Sequence, residues 1–541
     1  MGDWWREAVF YQIYPRSFYD TNNDGIGDLK GIVKKLDYLS DLGIDGIWIS
    51  PFFKSPMADF GYDISDYKDV DPIFGTLSDF DELLDEAHKR GIRVIIDQVY
   101  NHTSDQHPWF LESKSSKDNP KADWYIWQDP KPDGSPPNNW LSFFTGIKDE
   151  SAWQWCEERG QYYLRLFAKE QPDLNWRNPK VKEAVFDSIR FWLDRGVDGF
   201  RFDVVSLYYK DPKLRDTTLN PYRADNPNKF LRYNMFPIAG RPETLLAVEE
   251  IREIMDSYGD IVGVGEVATD RGLVGYLDFV IPGRLHLAFN FEFLHIEKLD
   301  PNAINKLIIE TDKIYNTIAW PSYVLGNHDT TRIISRFSKY ANDKKALAKA
   351  LATLLLTLRG TPFIYYGEEI GMENTPIPYE KIMDPLGKNL WPKTEGRDVV
   401  RTPMQWDDTK FAGFSKVEPW LPVNENKSYV NVEKEVKDPD SILSYYKRLI
   451  KKRKGSNALK LGEYRSLIED TEDILLYKRF TPSETKYILV NLKEEVVRCN
   501  LKKYGLSDKY TVYIGTYRKE GDLLSNEIEV LPFEGIIFKE G

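Results

Sequence analysis

The sequence predicts an α/β fold, a (β/α)8 TIM barrel, on three observations. Short apolar runs that read as strands alternate with stretches of helical periodicity. Four carboxylates, Asp97, Asp203, Glu266 and Asp329, each stand at the end of one such run, where a barrel gathers its functional groups on one face. The 541 residues also exceed the roughly 250 that a barrel needs, and the surplus carries a different pattern.

Eight strands are expected at about 9–14, 44–49, 92–97, 197–203, 261–266, 278–282, 322–327 and 362–366. The sixth is closed early by Pro282. Helical spacing follows over Leu29 to Leu42, Leu77 to Arg90, Val181 to Arg195, Glu243 to Tyr258, Ala303 to Tyr315 and Lys344 to Leu358. Gly91 and Gly196 each end a helix and lead directly into the next strand. The barrel is assigned to residues 1–100 and 171–455. Residues 101–170 are loop-rich, with Pro108, Pro120, Pro130, Pro132, Pro136 and Pro137, and read as a subdomain inserted after strand three. From 456 to 541 the period becomes two, as in Ile474 to Arg479, Lys486 to Leu492, Tyr510 to Tyr513 and Gly535 to Phe538, which predicts an all-β domain, a β-sandwich.

A net charge of −12, from 73 basic and 85 acidic residues, argues against nucleic acid or an anionic membrane as partner. The cluster Lys451-Lys452-Arg453-Lys454 reads as the end of a helix, where positive charge suits the dipole. No signal peptide and no apolar run of membrane length are seen, so a cytoplasmic protein is expected. Cys156 and Cys499 fall in different predicted domains and read as ordinary thiols.

In Gly199-Phe200-Arg201-Phe202-Asp203-Val204, residues two apart share a strand face, so Arg201 and Asp203 should point together into the barrel mouth. The guanidinium is expected to keep Asp203 ionised, as a nucleophile requires, while Asp203 and Asp329 disfavour the charged form of Glu266. Retaining glycosidases divide labour between two carboxylates in this way. His102 and His328 lie beside these acids and fit sugar contact, with a core role as the alternative.

Asp97-Gln98-Val99-Tyr100-Asn101-His102, Gly199 to Val204, Gly265-Glu266-Val267 and Asn327-His328-Asp329 resemble, in order, the four signature regions of the α-amylase family, glycoside hydrolase family 13. Gln171-Pro172-Asp173-Leu174-Asn175 resembles an additional signature of its oligo-1,6-glucosidase subfamily. Asp59-Phe60-Gly61-Tyr62-Asp63 and Arg397 to Trp406 extend the likeness to nearly the whole chain. The resemblance implies Asp203 as nucleophile, Glu266 as acid/base and Asp329 as the group that fixes the sugar's 2- and 3-hydroxyls. It implies that Asp63, His102, Arg201, His328 and Arg401 hold the non-reducing glucose over Tyr62, with Gln171, Phe144 and Val204 completing the substrate set. In similar enzymes Val at position 204 accompanies α-1,6 cleavage, whereas Phe60 departs from the Asn usual in oligo-1,6-glucosidases.

The function so implied is an exo-acting, retaining α-glucosidase acting on short α-glucosides, with a small oligosaccharide as its partner and no organic cofactor. A transglucosidase or disaccharide isomerase on the same site is the alternative, and a non-catalytic partner protein a remote one. The segment Ser206 to Arg241 should roof the leaving-group subsites. Asp20, Asn22, Asp24, the Ile26 carbonyl and Asp28 match the first part of an EF-hand loop, but Gly31 stands where its closing Glu belongs. The loop reads as a hard-cation site, structural Ca²⁺ by the resemblance, or as an Asx-rich turn without metal.

Overall fold

The computed structural model describes residues 3–145, 150–226, 228–316, 318–471, 473–506 and 509–541. Eight parallel strands form the barrel: β1 Phe10–Ile13, β2 Gly46–Ile49, β3 Arg93–Gln98, β4 Gly199–Phe202, β5 Val262–Gly265, β6 Leu287–Ala288, β7 Ser322–Val324 and β8 Thr361–Tyr365. They pair in the order β6-β5-β4-β3-β2-β1-β8-β7. A parallel bridge between Phe289 and Ser322 joins β6 to β7 and closes the ring. The strands are buried along almost their whole length, which is why they read as continuous apolar runs rather than alternating ones.

Local chemistry sets the helix ends. Asp28 caps Leu29–Leu42 by accepting from the Gly31 amide, and Gly43 ends the helix with φ +93°, a left-handed conformation that glycine adopts without strain. Thr76 and Asp79 form a capping box at the start of Leu77–Lys89. Helices Pro179–Asp194, Pro242–Asp256, Gly272–Leu277, Pro301–Tyr315, Lys344–Thr357 and Ile442–Lys454 complete the outer ring. Phe10, Trp48, Ile95, Val264, Leu287 and Phe363 fill the barrel interior, while Phe200 and Phe202 join the cluster that packs strands onto helices. Arg201 and Asp203 take the other face.

The sixth strand departs from expectation. Residues 278–282 are no strand: Phe279 and Val280 continue the turns of Gly272–Leu277 through amide bonds to Tyr276 and Leu277. The true β6 lies beyond Gly283 and has only two residues, too short a run for any period to register.

The inserted region holds the helix Pro108–Ser115 and a three-stranded sheet of Trp127–Gln128, Trp153–Cys156 and Gln161–Leu164. The buried ammonium of Lys210, 2.7 Å from Asn101 Oδ1 and 2.6 Å from Asp173, pins this region to the barrel. A buried charge so paired and hydrogen-bonded is costly to break from one side.

Beyond the barrel, β9 Glu463–Ser466, β10 Ile474–Thr481, β11 Glu484–Asn491, β13 Tyr510–Gly515, β14 Leu523–Leu524 and β16 Gly535–Glu540 form a six-stranded antiparallel sheet, and β12 Val497–Asn500 pairs with β15 Glu527–Val530. The second layer is thus a two-stranded ribbon, and Leu476, Leu489, Cys499, Ile528 and Phe538 fill the space beneath it. The opposite face, with Tyr477, Ile488 and Ile537, merges with the barrel's own core. Among the described residues no helix is long and apolar enough to cross a membrane.

Candidate active site

The C-terminal ends of β3, β4 and β5 bring three carboxylates to one guanidinium. Arg201 Nη1 lies 2.8 Å from Asp97 and 2.6 Å from Asp203, while Nη2 bonds Glu266. The side chains open progressively toward the mouth: Asp97 is 0% exposed, Asp203 9%, Glu266 16% and Asp329 32%. Asp97 therefore serves as a buried support, and the other three face the pocket.

The surroundings of Asp203 act in opposite directions. Burial raises its carboxyl well above the usual range; Arg201 works against this, while Glu266 and Asp97 reinforce it. Burial likewise pushes Asp97 up to about 6 against Arg201. One guanidinium is shared by three clustered carboxylates, so their titrations are linked and each disfavours the charge on the others. Asp329 behaves in the opposite way: burial would raise it, but His328, Arg397 and Arg401 together hold it well below the usual carboxylate range. Arg401 Nη2 is 2.6 Å from Asp329, and its Nε donates to the His328 carbonyl at 2.8 Å.

Burial lowers His102 to about 4 and His328 to about 3, so both imidazoles are neutral near pH 7. Gln12 Nε2 donates to His328 Nδ1 at 2.8 Å, which leaves the Nε2 proton facing Tyr62 Oη at 2.7 Å and Asp329 at 3.5 Å. The His328 and Tyr62 rings lie parallel, with centroids 5.4 Å apart. Tyr62 Oη donates to Asp97. Gln171 Nε2 reaches Asp59, the Tyr62 carbonyl and His102 at 3.1–3.2 Å.

Asp63 does not face this pocket. Its carboxylate accepts from Ser55 Oγ and the Ala58 and Asp59 amides at 2.8–2.9 Å, all within its own loop, and it is fully buried. Asp59 takes the place expected of Asp63, 2.7 Å from Arg397 and bonded to Gln171. Arg397, also held by Asp384 at 2.7 Å, stacks on Phe144 and approaches Asp329 at 3.5 Å. Asp59 and Arg397 lay inside the matching motifs, but residues four apart in a loop carry no period that says which one points inward.

Val204 adopts φ +34°, ψ +43°, a strained conformation for a β-branched residue. Its amide lies 3.2 Å from Glu266 Oε2, and its side chain meets the apolar cluster of Phe143, Phe167, Leu207, Phe230 and Met235.

The loop Asp20 to Asp28 is held by its own turns. Asp20 accepts from the amides of Asn22, Asn23 and Gly25 and from Ser415, and Asp28 accepts from Thr21 and Gly31. The all-oxygen donor set, with Asn22, Asp24 and the Ile26 carbonyl, suits a hard divalent cation. To converge on one it would release the Asn22–Asp24 contact of 2.9 Å. Among the described residues no group of three or more His, Cys, Asp or Glu side chains is gathered for a metal.

Comparison with known proteins agrees with this architecture. Residues 12–462 match the family model described as "Alpha amylase, catalytic domain". A probable alpha-glucosidase of Rhizobium meliloti strain 1021 is 46% identical over 91% of this chain and 90% of its own. An oligo-1,6-glucosidase of Parageobacillus thermoglucosidasius is 41% identical over 99% of both chains. The crystal structure of an alpha-glucosyl transfer enzyme, XgtA, superposes with a TM-score of 0.92 at 40% identity, covering 99% of this chain and 100% of that one. On sequence, fold and site together, the chain belongs to the α-amylase family of glycoside hydrolases, family 13.

Proposed function

We propose that this enzyme is an exo-acting, retaining α-glucosidase that releases glucose from the non-reducing end of short α-glucosides. Asp203 attacks the anomeric carbon, Glu266 protonates the leaving oxygen and then activates water, and Asp329 binds the 2- and 3-hydroxyls. The observation that carries this reading is the single guanidinium shared by Asp203 and Glu266. Sharing one group keeps the two carboxyls near each other, which fits the short separation of about 5–5.5 Å that retention uses. Double displacement needs one proton on that pair: it resides on Glu266 as Asp203 attacks, and Glu266 later takes one from water.

The exo mode is supported by the Asp59–Arg397 pair, which Asp384 and Asp329 extend across the inner end of the pocket. His102, His328, Tyr62, Gln171, Phe144 and Arg401 would line the glucose site around it. Asp20, Asn22, Asp24, the Ile26 carbonyl and Asp28 would hold a structural Ca²⁺, distant in sequence from the acids, and the enzyme would act in the cytoplasm.

Val204 favours isomaltose over maltose, because a branched side chain on the leaving-group side excludes one approach of that sugar; such exclusion is worth about 1–3 kcal/mol, or roughly 10- to 200-fold in kcat/KM. A panel of isomaltose, maltose, sucrose and trehalose tests this, with Val204→Ala, which removes the branch, expected to raise the maltose-to-isomaltose ratio. If wild type prefers maltose and the ratio does not move, linkage choice lies in Ser206 to Arg241 instead. A second reading, transfer of the glucosyl group to a sugar hydroxyl, is favoured by the likeness to an α-glucosyl transfer enzyme. A product mixture dominated by new disaccharide at high substrate would establish it.

A further inference from the structure

The segment Ser206 to Arg241 is tied on one side to the inserted region. Asn138 Nδ2 donates to the Leu214 carbonyl, Trp140 Nε1 to that of Arg215 and Asn139 Nδ2 to that of Thr217, at 2.9–3.0 Å. Phe230 sets its ring edge-on to Phe143, and Asn228 Nδ2 bonds the Phe143 carbonyl. On the other side it meets the loop that leaves β5. Asp270, four residues past Glu266, receives Arg223 Nη1 at 2.7 Å on one oxygen and the Met235 amide at 2.5 Å on the other. Between these two attachments Phe230, Met235 and Ile238 share an apolar cluster with Val204 and Ala268. Val204 directly follows the proposed nucleophile, and Ala268 lies two residues past the proposed acid/base.

We infer that Asp270 is a positioning residue: it latches this segment over the leaving-group side of the site and so sets how the glucosyl–enzyme ester is shared between water and a sugar acceptor. The inference rests on the reading of Asp203 and Glu266 given above. In either outcome an oxygen attacks the anomeric carbon, the bond from that carbon to the Asp203 carboxyl breaks, and the attacking hydroxyl's proton goes to Glu266. Water needs no roof to be held, whereas a sugar acceptor must be positioned by contacts. A one-sided attachment would let the segment swing and lose those contacts while water still enters.

The test uses α-glucosyl fluoride as donor, because its leaving group fills no sugar subsite, and isotopically labelled glucose as acceptor. Fluoride release and the ratio of labelled disaccharide to free glucose are measured for wild type, Asp270→Ala, Arg223→Ala and Arg223→Lys. The two alanine variants should lower the transfer-to-hydrolysis ratio about 10-fold, with a much smaller fall in fluoride release, and Arg223→Lys should restore most of the ratio. An unchanged ratio, or fluoride release falling in parallel with transfer, overturns the latch. Failure of wild type to release fluoride overturns the reading of the two acids and the latch with it.

Discussion

Asp59 and Asp63 lie four residues apart and differ in what they do, so exchanging each for Asn separates binding from folding. Asp63 is fully buried and its two oxygens accept three bonds from its own loop. In Asp63→Asn the amide would keep one oxygen acceptor and turn an NH2 group toward a donor. That loses one bond and sets donor against donor, a cost of about 1–3 kcal/mol in stability. Asp59 meets Arg397, which Asp384 also holds, so Asp59→Asn leaves the arginine paired and the fold intact. It removes a charged acceptor from the pocket's inner end, worth about 2–3 kcal/mol, or roughly 30- to 150-fold in kcat/KM. Thermal midpoints and isomaltose kinetics for both variants form the assay. Asp59→Asn should lose activity with its midpoint nearly unchanged, and Asp63→Asn should lose midpoint with kinetics nearly unchanged. The reverse pattern refutes the assignment of Asp59 to the pocket.

Three further outcomes are expected. Glu266→Gln should retain most of the first step, read as kcat/KM for release of an activated leaving group, while losing it on isomaltose, because only the poor leaving group needs protonation, and kcat should fall on both because Gln cannot activate water; equal losses of kcat/KM exclude Glu266 as the acid. Burial lowers His107 to about 3, below its unfolded value of about 6.5. The unfolded chain therefore binds a proton there that the folded chain does not, and stability present above pH 6.5 is lost as pH falls toward 3. Replacing His107 by Gln should flatten the acid limb of the stability curve by about 1.4 kcal/mol per pH unit between pH 6 and 4, read by denaturant titration; an unaltered slope would show that His107 titrates normally. A chelator should lower the thermal midpoint with little change in turnover, and Asp20→Ala should abolish that metal dependence; if neither has an effect, the Asp20 to Asp28 loop is a turn alone.

Seven of the barrel strands are legible as short apolar runs and six helices by their periodicity, two of them with a marked stop, at Arg90-Gly91 and Arg195-Gly196. The sixth strand is not, since the two residues Leu287 and Ala288 carry no pattern, whereas Phe279-Val280-Ile281 mimics one. Arg201 and Asp203 could be placed on one face by strand alternation alone. Which residue of the Asp59 to Asp63 loop faces the sugar could not, because irregular backbone lacks a period. Pairwise spacing puts Arg201 beside Asp203 but does not show that the same guanidinium also serves Asp97 and Glu266. Lys210 carries no signal in the sequence, because its partners Asn101 and Asp173 come from distant segments.

The anomer released first tests the central claim most directly. Proton NMR taken within the opening minutes of isomaltose hydrolysis, before mutarotation equilibrates the sugar, should show the α-glucose H1 signal rising ahead of the β signal. That is the outcome of two displacements at Asp203. β-Glucose appearing first would mean a single displacement by water and would contradict the account.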